Sequence, residues 1–198
     1  MPYTPAQIYT PAEDTHLLCS AAKREVRPTD RVLEVGTGSG SIAATLAKTA
    51  AWVVATDINP FATVHAHAHG NDVIRTDLFA GLKGLFDLVV FNPPYLPTQP
   101  DERIDDWLEY ALDGGESGRV VIERFAGEVS RVLAPKGRVL VLISSLTGLH
   151  EVSELFEKKG YSVMVITEQV VEDETLYVLR MTVKFFFKIP WMKPVVKQ

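Results

Sequence analysis

Asn92-Pro93-Pro94-Tyr95 is the segment of this 198-residue chain whose residue types point most directly to chemistry. The side-chain oxygen of Asn92 offers an acceptor for one N–H of a planar NH2 group. The Pro93 carbonyl, held in direction by its ring, offers an acceptor for the other. Tyr95 adds an aromatic wall for a flat acceptor. A nitrogen conjugated to a carbonyl or ring is a weak nucleophile, so such a site works by aligning it with an electrophile rather than by supplying a strong base. Asn and Pro are also turn residues, and the plain alternative is a strand-ending turn.

A second set of residues weighs against that alternative. Glu34 ends an apolar run and leads into Gly36-Thr37-Gly38-Ser39-Gly40, a turn whose glycines bring bare backbone close to a ligand. A dinucleotide site would show G-x-G-x-x-G, but Ser41 stands where that pattern wants its third glycine. An acidic residue followed by G-x-G-x-G is the form found in sites for S-adenosylmethionine, a carrier of an electrophilic methyl group. Asp57 lies at the end of the next apolar run, placed to accept both ribose hydroxyls. Asp77 closes the third, placed to meet an adenine amino group beside Leu78. Either aspartate alone could be a helix cap. Three acidic features at successive strand tips fit a ligand lying outside the carboxyl ends of a parallel sheet.

The elements that must hold these residues follow from the alternation of β-rich and helical stretches. Strands are predicted over Arg31–Val35, Trp52–Asp57, Asp72–Thr76, Phe86–Asn92, Arg138–Ser144, Tyr161–Glu168 and Thr175–Thr182. Helices are predicted over Glu13–Glu25, Ser41–Ala50, Pro60–His69, Glu116–Val132 and Thr147–Lys159. Thr10-Pro11-Ala12-Glu13 reads as a capped helix start with a capping box, and Asn59-Pro60 repeats the cap-then-proline signal. The last two strands are too close for a crossover helix and should be antiparallel. The expected fold is α/β: a seven-stranded, mainly parallel sheet with an antiparallel C-terminal strand and helices on both faces, the class I methyltransferase fold. One domain over residues 1–198 is expected, with 1–15 as a lid segment and 183–198 as a basic, apolar tail.

Composition narrows the partners. With 46% apolar and 23% charged residues the chain reads as a soluble globular protein, without a membrane span or a signal peptide. One cysteine, Cys19, excludes an intrachain disulfide and a cysteine zinc site, and a reducing cytoplasm is the expected compartment. Net charge is −5, and four lysines without an acid in 183–198 leave the rest near −9. An acidic body binds phosphate backbones poorly, so no direct nucleic-acid partner is expected. Asp101, Glu102, Asp105, Asp106 and Glu109 follow the Asn-Pro-Pro-Tyr segment with only Arg103 opposing, an acidic rim suited to a basic protein loop. A solvated helix start explains the same acids. His65, His67 and His69 lack metal-ligand company, and no metal site is expected. Cys19 reads as core packing.

Glu34–Gly40, Asp57-Ile58-Asn59, Asp77-Leu78-Phe79 and Asn92–Tyr95 together resemble the HemK family of glutamine N5-methyltransferases acting on translation release factors. Tyr9-Thr10-Pro11-Ala12-Glu13-Asp14-Thr15 resembles a segment of the family's short eukaryotic and archaeal branch, and Leu112–Gly118 resembles its Gly-Gly stretch. The likeness runs from about Tyr9 to Arg180. It implies a lid with Tyr9, Pro11, Glu13, Asp14 and Thr15 as cofactor contacts, joined by Glu34, Gly36, Gly38, Gly40, Asp57, Ile58, Asp77, Leu78 and Asn92. It implies Asn92, Pro93 and Tyr95 as the catalytic set, with S-adenosylmethionine as cofactor. The separate helical domain of bacterial members is not expected in eight residues before Tyr9. The short branch further implies a small zinc-containing activator protein that pairs with the short exposed third strand. Asn-Pro-Pro-Tyr also occurs in N6-adenine and N4-cytosine methyltransferases, whose acceptors are planar NH2 groups too. Lysine methylation and a catalytically idle cofactor-binding subunit also fit the cofactor motifs.

Overall fold

The computed structural model describes residues 7–99, 101 and 106–184. Seven strands form one sheet: β1 (Arg31–Val35), β2 (Trp52–Asp57), β3 (Val73–Arg75), β4 (Phe86–Phe91), β5 (Leu133–Ser144), β6 (Tyr161–Val171) and β7 (Glu174–Val183). Their spatial order is β3-β2-β1-β4-β5-β7-β6. The first five pair in parallel, and β7 is antiparallel to both β5 and β6. The hairpin joining β6 to β7 leaves no room for a crossover, as its spacing requires.

Five helices cover the two faces: α1 (Glu13–Glu25), α2 (Ser41–Leu46), α3 (Pro60–Ala68), α4 (Val120–Glu128) and α5 (Leu149–Lys158). Because side chains alternate along a strand, each central strand feeds two cores. Leu33, Val89, Phe91 and Val141 pack with Ile122 and Phe125 of α4 and Val152 and Phe156 of α5. Val32, Leu88, Val90 and Leu140 pack with Leu17 and Leu18 of α1 and Ile42 and Leu46 of α2. Cys19 sits partly buried against this second cluster.

Several boundaries differ from the sequence reading. α2 stops at Leu46 rather than Ala50. α4 is shorter than Glu116–Val132, because Gly118 turns the chain before it and Val129–Arg131 tightens into a 3-10 turn after it. β5 begins at Leu133 rather than Arg138, and β6 runs on to Val171. β3 has three residues, though Ala55 and Thr76 extend its hydrogen-bond ladder through Asp72 and Asp57. The Thr10 capping box does not form: the N-cap is Ala12, without a side-chain cap, and Thr10 and Pro11 lie ahead of the helix. Asn59 does cap α3, its Oδ1 accepting from the Phe61 and Ala62 amides with Pro60 in the first turn. Among the described residues no helix is long and apolar enough to cross a membrane.

Candidate active site

The carboxyl ends of β1, β2, β3 and β4 open onto a cavity of about 470 Å³, a volume typical of small-molecule sites. Tyr9, Pro11, Asp14, Thr15, Glu34, Gly36, Gly38, Asp57, Ile58, Asp77, Leu78, Asn92, Pro93 and Tyr95 all line it. Glu13, exposed on the first turn of α1, and Gly40 do not. Gly40 has φ +80, and a Cβ there would lie 2.6 Å from the Asn71 amide nitrogen and 2.9 Å from the Ala66 Cβ. Its observed role is to let α2 begin against α3.

The glycine loop is tied at both sides. Glu34 is buried, and its Oε2 accepts from Thr37 Oγ1 at 2.6 Å and from the Ala43 amide at 2.9 Å. Burial drives its pKa from the ordinary 4.5 up to about 8, against the pull of those two donors. Across the loop, Asp57 Oδ2 accepts from the Gly38 amide at 2.8 Å and Oδ1 from the Asn59 amide at 2.8 Å. Burial raises the Asp57 pKa as well, and the backbone N–H groups oppose the rise. Asp77 lies two residues beyond β3, and its Oδ2 accepts from Arg124 of α4 at 2.6 Å. Leu78 follows with φ +46, a left-handed backbone unusual for leucine, and is buried in the cavity wall.

Asn92 is the first residue after β4. Its Nδ2 donates to Asp14 Oδ2 at 2.9 Å, and its Oδ1 is buried without a partner among the described residues. Tyr9 also donates to Asp14 Oδ2, at 3.0 Å. Burial pushes the phenols of Tyr9 and Tyr95 well above their ordinary range, reinforced by the nearby carboxylates of Asp14, Glu13 and Glu174. Both remain protonated at neutral pH and are not bases. The loop beyond Tyr95 is pinned by Leu96 exchanging hydrogen bonds with Leu112 and Gly114. Gly118 approaches so closely that a Cβ there would lie 2.5 Å from the Tyr95 carbonyl oxygen. The Gly-Gly stretch therefore braces the acceptor loop.

Three lining residues escaped the sequence reading. Arg124 sits on a helix face without a motif, and its pairing with Asp77 spans 47 positions. Trp107 and Tyr110 pack with tilted rings, centroids 5.3 Å apart, and the Arg75 guanidinium lies 6.0 Å from the Trp107 ring centre. Two aromatics set within an acidic run were the available signal. Of that run, 102–105 lie outside the described residues, and Asp106 caps the turn at Glu109 through its Oδ1. His65 and His69 lie with tilted rings, centroids 4.3 Å apart, and among the described residues no group of three potential ligands could hold a metal ion.

A family model described as "Methyltransferase small domain" matches residues 12–105. A protein of Methanocaldococcus jannaschii, named for the protein N5-glutamine methyltransferases, is 41% identical over 180 residues, covering 87% of this chain and 90% of that relative. Human methyltransferase HEMK2 is 35% identical over 193 residues, covering 89% and 90%. Among solved structures, the E. cuniculi Mtq2–Trm112 complex, described as responsible for methylating the termination factor eRF1, superposes with a TM-score of 0.77 at 31% identity, covering 90% of this chain and 99% of that one.

Proposed function

The chain belongs to the HemK family of glutamine N5-methyltransferases, and from that membership we propose that it methylates the side-chain amide of the glutamine in a release factor's Gly-Gly-Gln loop. The buried, partnerless Oδ1 of Asn92 carries this reading. A buried carbonyl oxygen without a donor is costly, and a substrate NH2 group would satisfy it.

The cavity suits S-adenosylmethionine. Gly36 has φ +65, a backbone that favours glycine, and a Cβ there would press to 3.3 Å on the Phe91 ring. Asp57 would hold the ribose: the Gly38 and Asn59 amides fix its two oxygens, and the carboxylate lines the cavity where the hydroxyls would lie. Asp77 has one oxygen held by Arg124 and the other left for an amino group, beside the apolar walls of Ile58 and Leu78. Tyr9, Pro11 and Thr15 would close the site from the lid side. When bound, the cofactor supplies a sulfonium methyl as electrophile. Asn92 Oδ1 and the Pro93 carbonyl would take the two N–H groups of the glutamine amide, turning the nitrogen's face toward that methyl. Tyr95 would flank the amide plane. Positioning of this kind is the main catalytic effect available here, since the neighbouring phenols are not bases.

The carboxylates grouped around Tyr95 bear on the choice between glutamine and lysine as acceptor. They would attract a lysine ammonium and keep it protonated, hence non-nucleophilic, whereas a neutral amide needs no deprotonation before attack. The acidic rim favours a basic protein loop over a phosphate backbone. For a partner, we infer a small zinc-containing activator seated on the sheet edge at β3. That strand has three residues, with Ile74 45% exposed and Val64 on neighbouring α3 67% exposed. Full activity and solubility of the chain expressed alone would count against the partner. The cytoplasm, where translation terminates, is the inferred compartment. Transfer of labelled methyl to purified release factor, with mass mapping of the modified residue, tests the function. Label on a lysine, on nucleic acid or on nothing overturns it.

A further inference from the structure

Asp14 stands apart among the lid residues. It occupies the second position of α1, where an acidic side chain ordinarily lies in solvent near the helix's positive end. Here it is 4% exposed and turned into the cavity. One oxygen, Oδ1, accepts from the backbone N–H and the hydroxyl of Thr15, so the first turn of α1 holds it. The other, Oδ2, accepts from the Tyr9 hydroxyl at 3.0 Å and from Asn92 Nδ2 at 2.9 Å. The carboxylate is thus gripped by its own helix on one side and grips Asn92 on the other, across 78 positions of chain.

An asparagine amide can be turned over at little steric cost, exchanging its oxygen and nitrogen. The acceptor chemistry requires one of the two orientations, since a nitrogen facing the substrate would oppose donor to donor. A carboxylate accepts and does not donate, so Asn92 can meet Asp14 only through Nδ2. That contact leaves Oδ1 on the opposite side, buried and without a partner.

We propose that Asp14 is a positioning residue of the acceptor site: it fixes the orientation of the Asn92 amide and so sets which hydrogen-bonding pattern an acceptor must bring. The assignment rests on the amide-methylation reading above. It also moves Asp14 out of the cofactor-contact set, where sequence resemblance had put it. Tyr9, sharing the same oxygen, couples closure of the lid to readiness of the acceptor site.

The test uses the full chain, the release factor as acceptor and S-adenosylhomocysteine as the probe of cofactor binding. Asp14→Ala is expected to lower kcat about 30-fold, the range for losing a charge-assisted contact, while the dissociation constant for S-adenosylhomocysteine stays within about threefold. In an Asn92→Ala background the same change should cost less than about threefold further, because residues acting through one another are not additive. Cofactor affinity falling in step with kcat, or full additivity with Asn92→Ala, overturns the proposal. Where Asp14→Ala fails to fold, Asp14→Asn keeps the shape but no longer dictates the orientation. It should lower kcat several-fold at nearly unchanged KM, and wild-type kcat in that variant also overturns the proposal. A third readout needs no acceptor: the 15N-resolved side-chain NH2 of Asn92 should carry one downfield, exchange-protected proton that Asp14→Ala removes. Were the release factor not the substrate, transfer would be absent in the wild type, and this signal would still decide the Asp14–Asn92 contact. Its absence from the wild type refutes it.

Discussion

The two ends of the sheet treat buried polar groups in opposite ways. Where the strands begin, Arg138 on β5 is 4% exposed and surrounded by acceptors. It donates to Asp30 at 2.6 Å, to the Glu25 side chain at 3.3 Å, to the Glu25 carbonyl, and to the Asp87 carbonyl at 3.1 Å. Arg180 on β7 adds a second cation on Glu25 at 3.1 Å. This cluster ties the last turn of α1 to β5 and β7 and leaves its charges matched. Where the strands end, Asn92 Oδ1 and Glu109 Oε1 are buried without partners among the described residues, burial raises the Glu34 pKa to about 8, and Leu78 takes a left-handed backbone. The Arg138 cluster and the Asn92 site differ in whether their own buried polar groups are matched, although Tyr161 Oη at the start of β6 is also buried without a partner among the described residues. A closed network holds the molecule together; an open one is a place for something to bind.

Breaking each end should therefore give opposite signatures. Arg138→Met leaves the buried Asp30 carboxylate without its cation, Glu25 keeping Arg180, and is expected to cost about 3–5 kcal/mol of stability. Chemical denaturation checks this, with kcat per folded molecule unchanged. Asn92→Ala should reverse that pattern: transfer falls by about 10²–10³-fold, while the melting temperature and cofactor binding hold or improve. Full activity in Asn92→Ala would remove the acceptor assignment.

Acidity separates the ends further. The raised Glu34 pKa means the folded chain binds a proton there more tightly than the unfolded chain does. Its contribution is therefore fully present below about 4.5 and is lost as pH rises through about 8. Glu34→Gln should flatten this part of the stability profile, making the variant relatively more stable at pH 8 than at pH 5, by denaturation at each pH. The smallest effect is at the rim. Reversing Asp101 and Asp106 to lysine should lower kcat/KM for the release factor several-fold at low salt, and the loss should fade as salt screens the encounter. A loss that persists at high salt would mean a direct contact or the broken cap at Glu109.

Much of this arrangement is legible in the sequence. Strand and helix placement follow from period and spacing, and the Asn59-Pro60 cap from local stereochemistry alone. The Thr10 cap fails because a local signal loses to a tertiary one. Tyr9 and Pro11 ahead of α1 line the cavity, and Asp14 takes the first-turn amide of Thr15 instead. Gly40 looks like part of the ligand loop, yet its hydrogen faces Ala66 and Asn71 rather than the cavity, a helix contact that a glycine motif does not disclose. Arg124 on Asp77 and Arg138 on Asp30 are invisible for a simpler reason. Their partners lie 47 and 108 positions away, and an isolated arginine carries no mark of where it will reach.

Helix α1 connects the two ends. Its 13 residues carry Asp14 at one tip and Glu25 at the other, about 20 Å of rod at 1.5 Å per residue. Glu25 ties that end of the rod to Arg138 on β5 and Arg180 on β7. The grip of Asp14 on Asn92 therefore stands on a helix that is anchored to the sheet at its far end.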